Sequence, residues 1–175
     1  MARKAGDSIF SRYMELLFLV YFIVHVPITI FIDSQLVLGS KFHPAWAVQV
    51  TADYIRDVHD FLVKVNPVWF YSMVLCEMFL QLPCFFVSMY GIVKQASWMP
   101  LVGVIYGTHV STTLVPILAS FILEPLDPEN NTGPMYESDR LPLVAVYVAW
   151  IIVPLLMVLH YAPMLRRAPL KSKTA

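Results

Sequence analysis

The sequence predicts an all-α polytopic membrane protein: a four-transmembrane-helix bundle with proline-kinked helices and a luminal segment between helices one and two. Three observations predict it. Of the 175 residues, 58% are hydrophobic and only 14% charged, too little charge to cover the surface of a soluble domain of this size. Four apolar runs reach the roughly 17–25 residues that a membrane helix needs. Each run holds one interior proline, Pro27, Pro83, Pro116 or Pro154, a residue that membrane helices tolerate when neighbours satisfy the freed carbonyl.

The first run, Met14 to Ile32, exceeds the roughly 7–15 residues of a signal-peptide core, and no small-residue cleavage site follows, so it is expected to remain as helix one. Between Ser34 and Pro67 lies the luminal segment. Within it, Trp46, Val50, Tyr54, Val58 and Leu62 recur every four residues, while Asp53, Asp57 and Asp60 lie off that row. That pattern predicts an amphipathic helix over Ala45 to Val63, either a lid on the bundle or an interfacial helix. Helix two is expected over Val68 to Val93, helix three over Trp98 to Leu123 and helix four over Leu141 to Ala162. Pro100 after Ser97 and Pro142 after Asp139 occupy the place where proline opens a helix behind a capping side chain. The domains so drawn are a cytosolic tail over 1–12, a membrane domain over 13–163 and a second cytosolic tail over 164–175.

Orientation follows from the basic residues. Placing both termini and the second loop in the cytosol puts Arg3, Lys4, Arg12, Lys94, Arg166, Arg167, Lys171 and Lys173 there, against Lys41, Arg56, Lys64 and Arg140 outside it. Asn130-Asn131-Thr132 is then a luminal glycosylation sequon, and Lys171 and Lys173 near the C-terminus resemble a cytosolic dilysine retrieval signal of the endoplasmic reticulum. Net charge is zero, and no basic stripe points to nucleic acid. Cys76 and Cys84 are eight residues apart on one helix, roughly 12 Å along its axis, so they cannot pair with each other.

Chemistry concentrates where polar groups interrupt the apolar runs. Glu77 and Gln81 share a helix face in mid-membrane, where an ionisable group costs at least ~2.5 kcal/mol unless it is paired or solvated. On helix three, Tyr106, His109, Thr113 and Ile117 are spaced three, four and four, a second stripe that could face the first. Polar residues lie within about two turns of every proline, which points to a central chamber, although ordinary proline tolerance gives the same pattern. Asp33 ends helix one and could meet Glu77. Counting rises, Glu77 sits about 14 Å below the start of helix two and Asp33 about 10 Å nearer the lumen, so a meeting requires Asp33 to be drawn inward. If they meet, both cannot ionise cheaply, and the pair is expected to share one proton, assigned to Glu77, leaving Asp33 to attract a cationic amine on an apolar skeleton. The alternatives stay open: Asp33 could simply end helix one, and Glu77 could bond a freed carbonyl. His25 and His109 are expected as interior donors rather than metal ligands, and no Cys/His spacing resembles a zinc site. No nucleophile arrangement and no cofactor motif is recognisable.

The segments Tyr21 to Thr29 through Asp33, Cys76-Glu77 with Gln81-Leu82-Pro83, and His109 to Pro116 together resemble the EXPERA family, in particular its receptor branch rather than its emopamil-binding sterol isomerases. The resemblance spans nearly the whole chain. It implies an endoplasmic-reticulum protein that binds sterols (cholesterol, oxysterols) and cationic amphiphilic molecules, forms homodimers in membrane lipid, engages a sterol-transport membrane protein and takes part in cholesterol homeostasis, without a cofactor. By position it implies Asp33 as the amine-binding carboxylate, Glu77 as its hydrogen-bonded partner, Gln81, Thr113, Tyr147 and Trp150 as pocket lining, and Tyr54 and Asp60 as luminal-segment positions of interest. Where the receptor pattern has Tyr, this chain carries Trp150, which removes a hydroxyl. Three readings follow: a non-catalytic binding protein, a sterol double-bond isomerase using the same acids, and a scaffold that recruits a cholesterol transporter.

Overall fold

The computed structural model describes residues 9–166, and among them every regular element is helical. Arg3, Lys4, Arg167 and the dilysine pattern at Lys171 and Lys173 lie outside the described residues. Four stretches are long and apolar enough to cross a membrane: Ser11–Leu38, Val68–Val93, Met99–Leu123 and Glu137–Leu165. Four crossings put Ile9 and Arg166, the first and last described residues, on one side. On the opposite side the two connecting segments meet, with Lys64 Nζ donating to Asn131 Oδ1 at 2.7 Å.

The first span is not one regular helix. It comprises α1 (Ile9–Ile28), a π-helical turn over Thr29–Asp33 and α2 (Gln35–Leu38). The second repeats the device, with α5 (Val68–Cys76), a π turn over Glu77–Gln81 and α6 (Leu82–Val93). In each π turn an amide reaches back five residues, Ser34 N to Thr29 O and Leu82 N to Glu77 O. Both turns flank a proline, Pro27 just before the first and Pro83 just after the second. Pro83 leaves the carbonyl of Phe79 without its α-helical partner inside the second turn, so the wider i→i+5 register costs little more there.

Helix one is longer than the apolar run suggested, continuing from Ile32 to Leu38, or six residues and about 9 Å of rise. That extension carries Asp33 inward by nearly the distance that separated it from Glu77 on the sequence count. Asn66 Nδ2 donates to Leu36 O, which sets the start of helix two level with the last turn of helix one.

The third and fourth spans, α7 (Met99–Leu123) and α8 (Arg140–Arg166), form the closest helix pair. Gly103 and Gly107 make this approach possible: a Cβ on Gly107 would lie 2.5 Å from the backbone oxygen of Pro154, and one on Gly103 would enter the Tyr161 ring. Pro163 also lies inside α8, which runs past the expected end at Ala162. Arg140 caps α7, its guanidinium donating to the carbonyls of Phe121, Ile122 and Glu124. Two expected caps are absent. Trp98, not Ser97, precedes α7 and makes no side-chain cap bond, and Asp139 Oδ2 instead accepts from the Tyr136 amide.

The core is aromatic, with Phe22, Phe85 and Tyr106 in mutual ring contact at 5.1–5.7 Å between centroids. Outward faces carry Val20, Ile23, Phe79, Leu80, Ile105 and Leu159, all exposed and apolar, a surface suited to lipid rather than water.

The segment between spans one and two folds as α3 (Ala45–Val58) and α4 (Phe61–Val65), broken where His59 adopts left-handed backbone at φ 57°. The expected single helix over Ala45 to Val63 is therefore two. Its buried face is also turned by one residue: Ala47 and Thr51 are buried, whereas Trp46 and Val50 are more than half or half exposed. Gln35 explains the turn, since its amide nitrogen donates to Ala47 O at 3.1 Å and to Thr51 Oγ1 at 2.9 Å and pins that face to helix one.

Candidate functional site

A cavity of about 270 Å³ lies inside the bundle, close to the lower end of the roughly 300–1,000 Å³ of small-molecule sites. Its walls are apolar, with Ile28, Ile32 and Leu36 from span one, Phe70, Met73 and Val74 from span two, and Val110, Leu114 and Ile117 from α7. Polar groups enter at His25, Asp33, Glu77, Gln81, Thr113, Tyr147 and Trp150. From α3, Val50, Thr51 and Tyr54 close one end, so the segment between spans one and two is a lid.

The two π turns touch, and they carry the acids together. One ligand atom each from His25, Asp33 and Glu77 lie within 4.8 Å of one another. Thr29 Oγ1 donates to Glu77 Oε1 at 2.6 Å, and His25 Nε2 stands 3.4 Å from the same oxygen. Thr29 and His25 therefore both face the same Glu77 oxygen. Two carboxyl groups this close cannot both ionise cheaply, so the pair titrates as one unit. The His25 ring is clasped between Phe85 and Trp150, with centroids at 4.9 and 4.6 Å, and Tyr21 meets its edge at 5.2 Å. Trp150, where a tyrosine was the family expectation, thus supplies a ring face to His25.

Behind the lid, Asp60 is fully buried and serves as a hub. It caps α4 by accepting from the amides of Leu62 and Val63, and it accepts from Tyr54 at 2.8 Å and Tyr147 at 2.9 Å. Burial raises its carboxyl above the ordinary aspartate value even though all four donors pull the other way. Burial likewise raises the Tyr54 hydroxyl, with the Asp60 charge adding to it. His59 Nδ1 lies 3.2 Å from Asp139 Oδ1, a second tie between lid and fourth span.

The structure brings eight of the sequence-derived candidates to the cavity: His25, Asp33, Tyr54, Glu77, Gln81, Thr113, Tyr147 and Trp150. Three stand elsewhere. Asp60 lies behind the wall as the hub just described. Tyr106 is held in the aromatic core with its hydroxyl donating to Tyr21 at 3.2 Å. His109 is off the wall, its Nε2 buried and without a partner among the described residues. Of the helix-three stripe, Thr113 and Ile117 line the cavity together with Val110 and Leu114, whereas Tyr106 packs into the Phe22 and Phe85 cluster. Thr113 itself spends its hydroxyl on Val110 O. Sequence reasoning assigned no role to Thr29 or Thr51; Thr29 was readable, since His25, Thr29 and Asp33 follow one another at intervals of four.

The family profile described as EXPERA (EXPanded EBP superfamily) matches residues 46–161. The chain belongs to the EXPERA family. This EXPERA protein is 33% identical to sigma intracellular receptor 2 of Homo sapiens over 158 residues, covering 88% of this chain and 90% of the receptor. Its likeness to the Xenopus tropicalis receptor of the same name is also 33%, over 153 residues, 87% of this chain and 90% of the receptor. It is 34% identical over 150 residues to efficient mitochondria targeting-associated protein 19 of Saccharomyces cerevisiae, 79% of this chain and 91% of that protein.

Proposed function

We propose that this EXPERA protein is a membrane-embedded binding protein for sterols and cationic amphiphilic molecules, residing in the endoplasmic reticulum with both termini in the cytosol. The observation that carries the reading is the acid pair, Asp33 with Glu77, set in an otherwise apolar cavity beneath a lid. Apolar walls accept a rigid hydrocarbon body. The pair carries the negative charge that an ammonium group would meet, and the surrounding membrane excludes the water that would screen it. The match to sigma intracellular receptor 2 over nearly all of both chains supports a receptor role. A part in cholesterol homeostasis, homodimer formation and contact with a sterol-transport membrane protein belong to the same proposal.

Binding of a cationic amphiphile to the purified protein tests it. A charge pair about 4 Å apart at an effective dielectric near 20 is worth about 4 kcal/mol, so Asp33→Asn is expected to weaken amine binding by up to roughly 1,000-fold. Glu77→Gln is expected to weaken it less. Unchanged affinity in both folded variants removes the acids from the site.

The sterol isomerase reading is favoured by one feature, the imidazole of His25 at 3.4 Å from Glu77, which offers a proton relay beside an acid. Sterol isomer conversion at an ordinary enzymatic rate by the purified protein would establish that second reading over the first.

A further inference from the structure

We propose that His25, Asp33 and Glu77 form a binding site for a divalent cation of the zinc class, ligated by His25 Nε2 and one oxygen from each carboxylate, with a fourth position open to the cavity. Donor spacing supports it. Zinc bonds to nitrogen and carboxylate oxygen at about 2.0–2.2 Å place neighbouring tetrahedral donors about 3.4 Å apart. His25 Nε2 and Glu77 Oε1 already stand 3.4 Å apart, and all three ligand atoms lie within 4.8 Å of one another. Asp33 supplies the third ligand atom, within 4.8 Å of the other two.

Charge balance points the same way. An ammonium group neutralises one of two carboxylates and leaves the other to hold a proton, whereas a divalent cation neutralises both, which matters most where little water reaches. Imidazole with two carboxylates is a borderline nitrogen and oxygen set, suited to zinc-class ions rather than to calcium or magnesium.

The state of His25 is the independent observation. It is only 8% exposed, it lines the cavity, and its Nδ1 has no hydrogen-bond partner among the described residues. Nε2, the other ring nitrogen, faces Glu77 Oε1 at 3.4 Å, so a cation that replaces the proton between them is ligated by both groups. Phe85 and Trp150 fix the ring plane, and Thr29 holds the Glu77 carboxylate from outside, the supporting shell that metal ligands ordinarily have. His25 was expected as an interior donor because no Cys/His spacing signals this set; its members come from two helices.

The test is titration of the chelator-stripped, full-length protein in lipid nanodiscs with Zn²⁺ by calorimetry, and with Co²⁺ by visible absorption. One ion per chain is expected, with four-coordinate Co²⁺ bands and an observed heat that changes with the buffer's ionisation enthalpy, the slope giving the protons released. His25→Gln and Asp33→Asn are each expected to lower affinity at least roughly 100-fold, the upper end of what loss of an outer-shell partner does. His43→Gln and His59→Gln are expected to leave it unchanged. Binding undiminished in His25→Gln and Asp33→Asn identifies adventitious surface ligation and overturns the proposal. If those variants do not fold, the wild-type Co²⁺ spectrum decides, and absence of four-coordinate bands overturns it. No amine is present in these titrations, so their outcome is separate from that of the amine-binding reading.

Discussion

Thr29→Val probes the acid pair most directly, because it removes one donor and almost nothing else. Thr29 is fully buried and its hydroxyl donates to Glu77 Oε1 at 2.6 Å. Valine matches threonine in shape, so no cavity opens, but the carboxylate oxygen loses a short bond of the charge-assisted kind. Such bonds contribute about 1.5–3 kcal/mol, and a buried acceptor left unpaired costs a similar amount. Thr29→Ser makes the reverse cut, keeping the donor and deleting a methyl group worth about 0.8 kcal/mol in burial. At roughly 2–4 °C per kcal/mol for a chain of this size, the valine variant should lose about 3–12 °C in thermal unfolding and the serine variant about 2–3 °C. The assay is unfolding in detergent, followed by Trp fluorescence, paired with amine affinity, which should fall roughly tenfold for valine and little for serine. A valine variant as stable as the serine variant, or with equal affinity, refutes the idea that this hydroxyl holds Glu77 in place.

Two further outcomes test the scaffold around the site. Gly107→Ala places a Cβ against the Pro154 backbone oxygen, which cannot swing aside, so the third and fourth spans must part; a loss of about 1–3 kcal/mol is expected in the same unfolding assay. For Asp60, burial raises the folded-state pKa above the unfolded value, so its contribution is fully present below about 3.9 and is lost as pH rises through the folded value. Asp60→Asn does not titrate, and the stability advantage of wild type over this variant should shrink from acid pH toward neutrality; an advantage that widens with pH shows that the four hydrogen bonds outweigh burial.

The spans were legible because length and hydropathy determine them, and the helices of the last three start within about two residues of expectation, whereas α1 begins at Ile9 rather than Met14. The position of Asp33 was not. No residue pattern encodes where helix one stops once its apolar run ends, and Gln35, which bonds back to Phe31 O and across to the lid, carries it six residues further. The lid was legible as an amphipathic segment, but its orientation depends on that same Gln35 amide, a contact between residues far apart in sequence. Tyr106 and His109 fit a helical stripe on spacing alone. Which neighbouring stripe faces a cavity is decided by packing, here by an aromatic cluster for Tyr106 and by the close glycine contact with α8. On spacing alone Asp60 is one of three acids off the apolar row; the family resemblance marks it as a position of interest, and the meeting of Tyr54 and Tyr147 makes it a buried hub.

The π turns explain why the polar residues of span one converge at all. At 3.6 residues per turn, each step of four residues drifts about 40° around an α-helix, so His25, Thr29 and Asp33 on a regular helix would spread over about 80°. A turn closed by i→i+5 bonds takes more residues per revolution, and across Thr29–Asp33 it cancels the drift of the second step. Asp33 therefore stays over Thr29 and His25. Glu77 and Gln81, the first and last residues of the other π turn, are aligned by the same geometry. Proline stands beside each turn, Pro27 two residues before the first and Pro83 two residues after the second, and Pro83 removes an amide that Phe79 O inside its turn would need. The prolines and the acids are thus parts of one device: two wide turns, each beside a proline, stack four polar side chains of span one and span two against each other where the membrane leaves them no other partner.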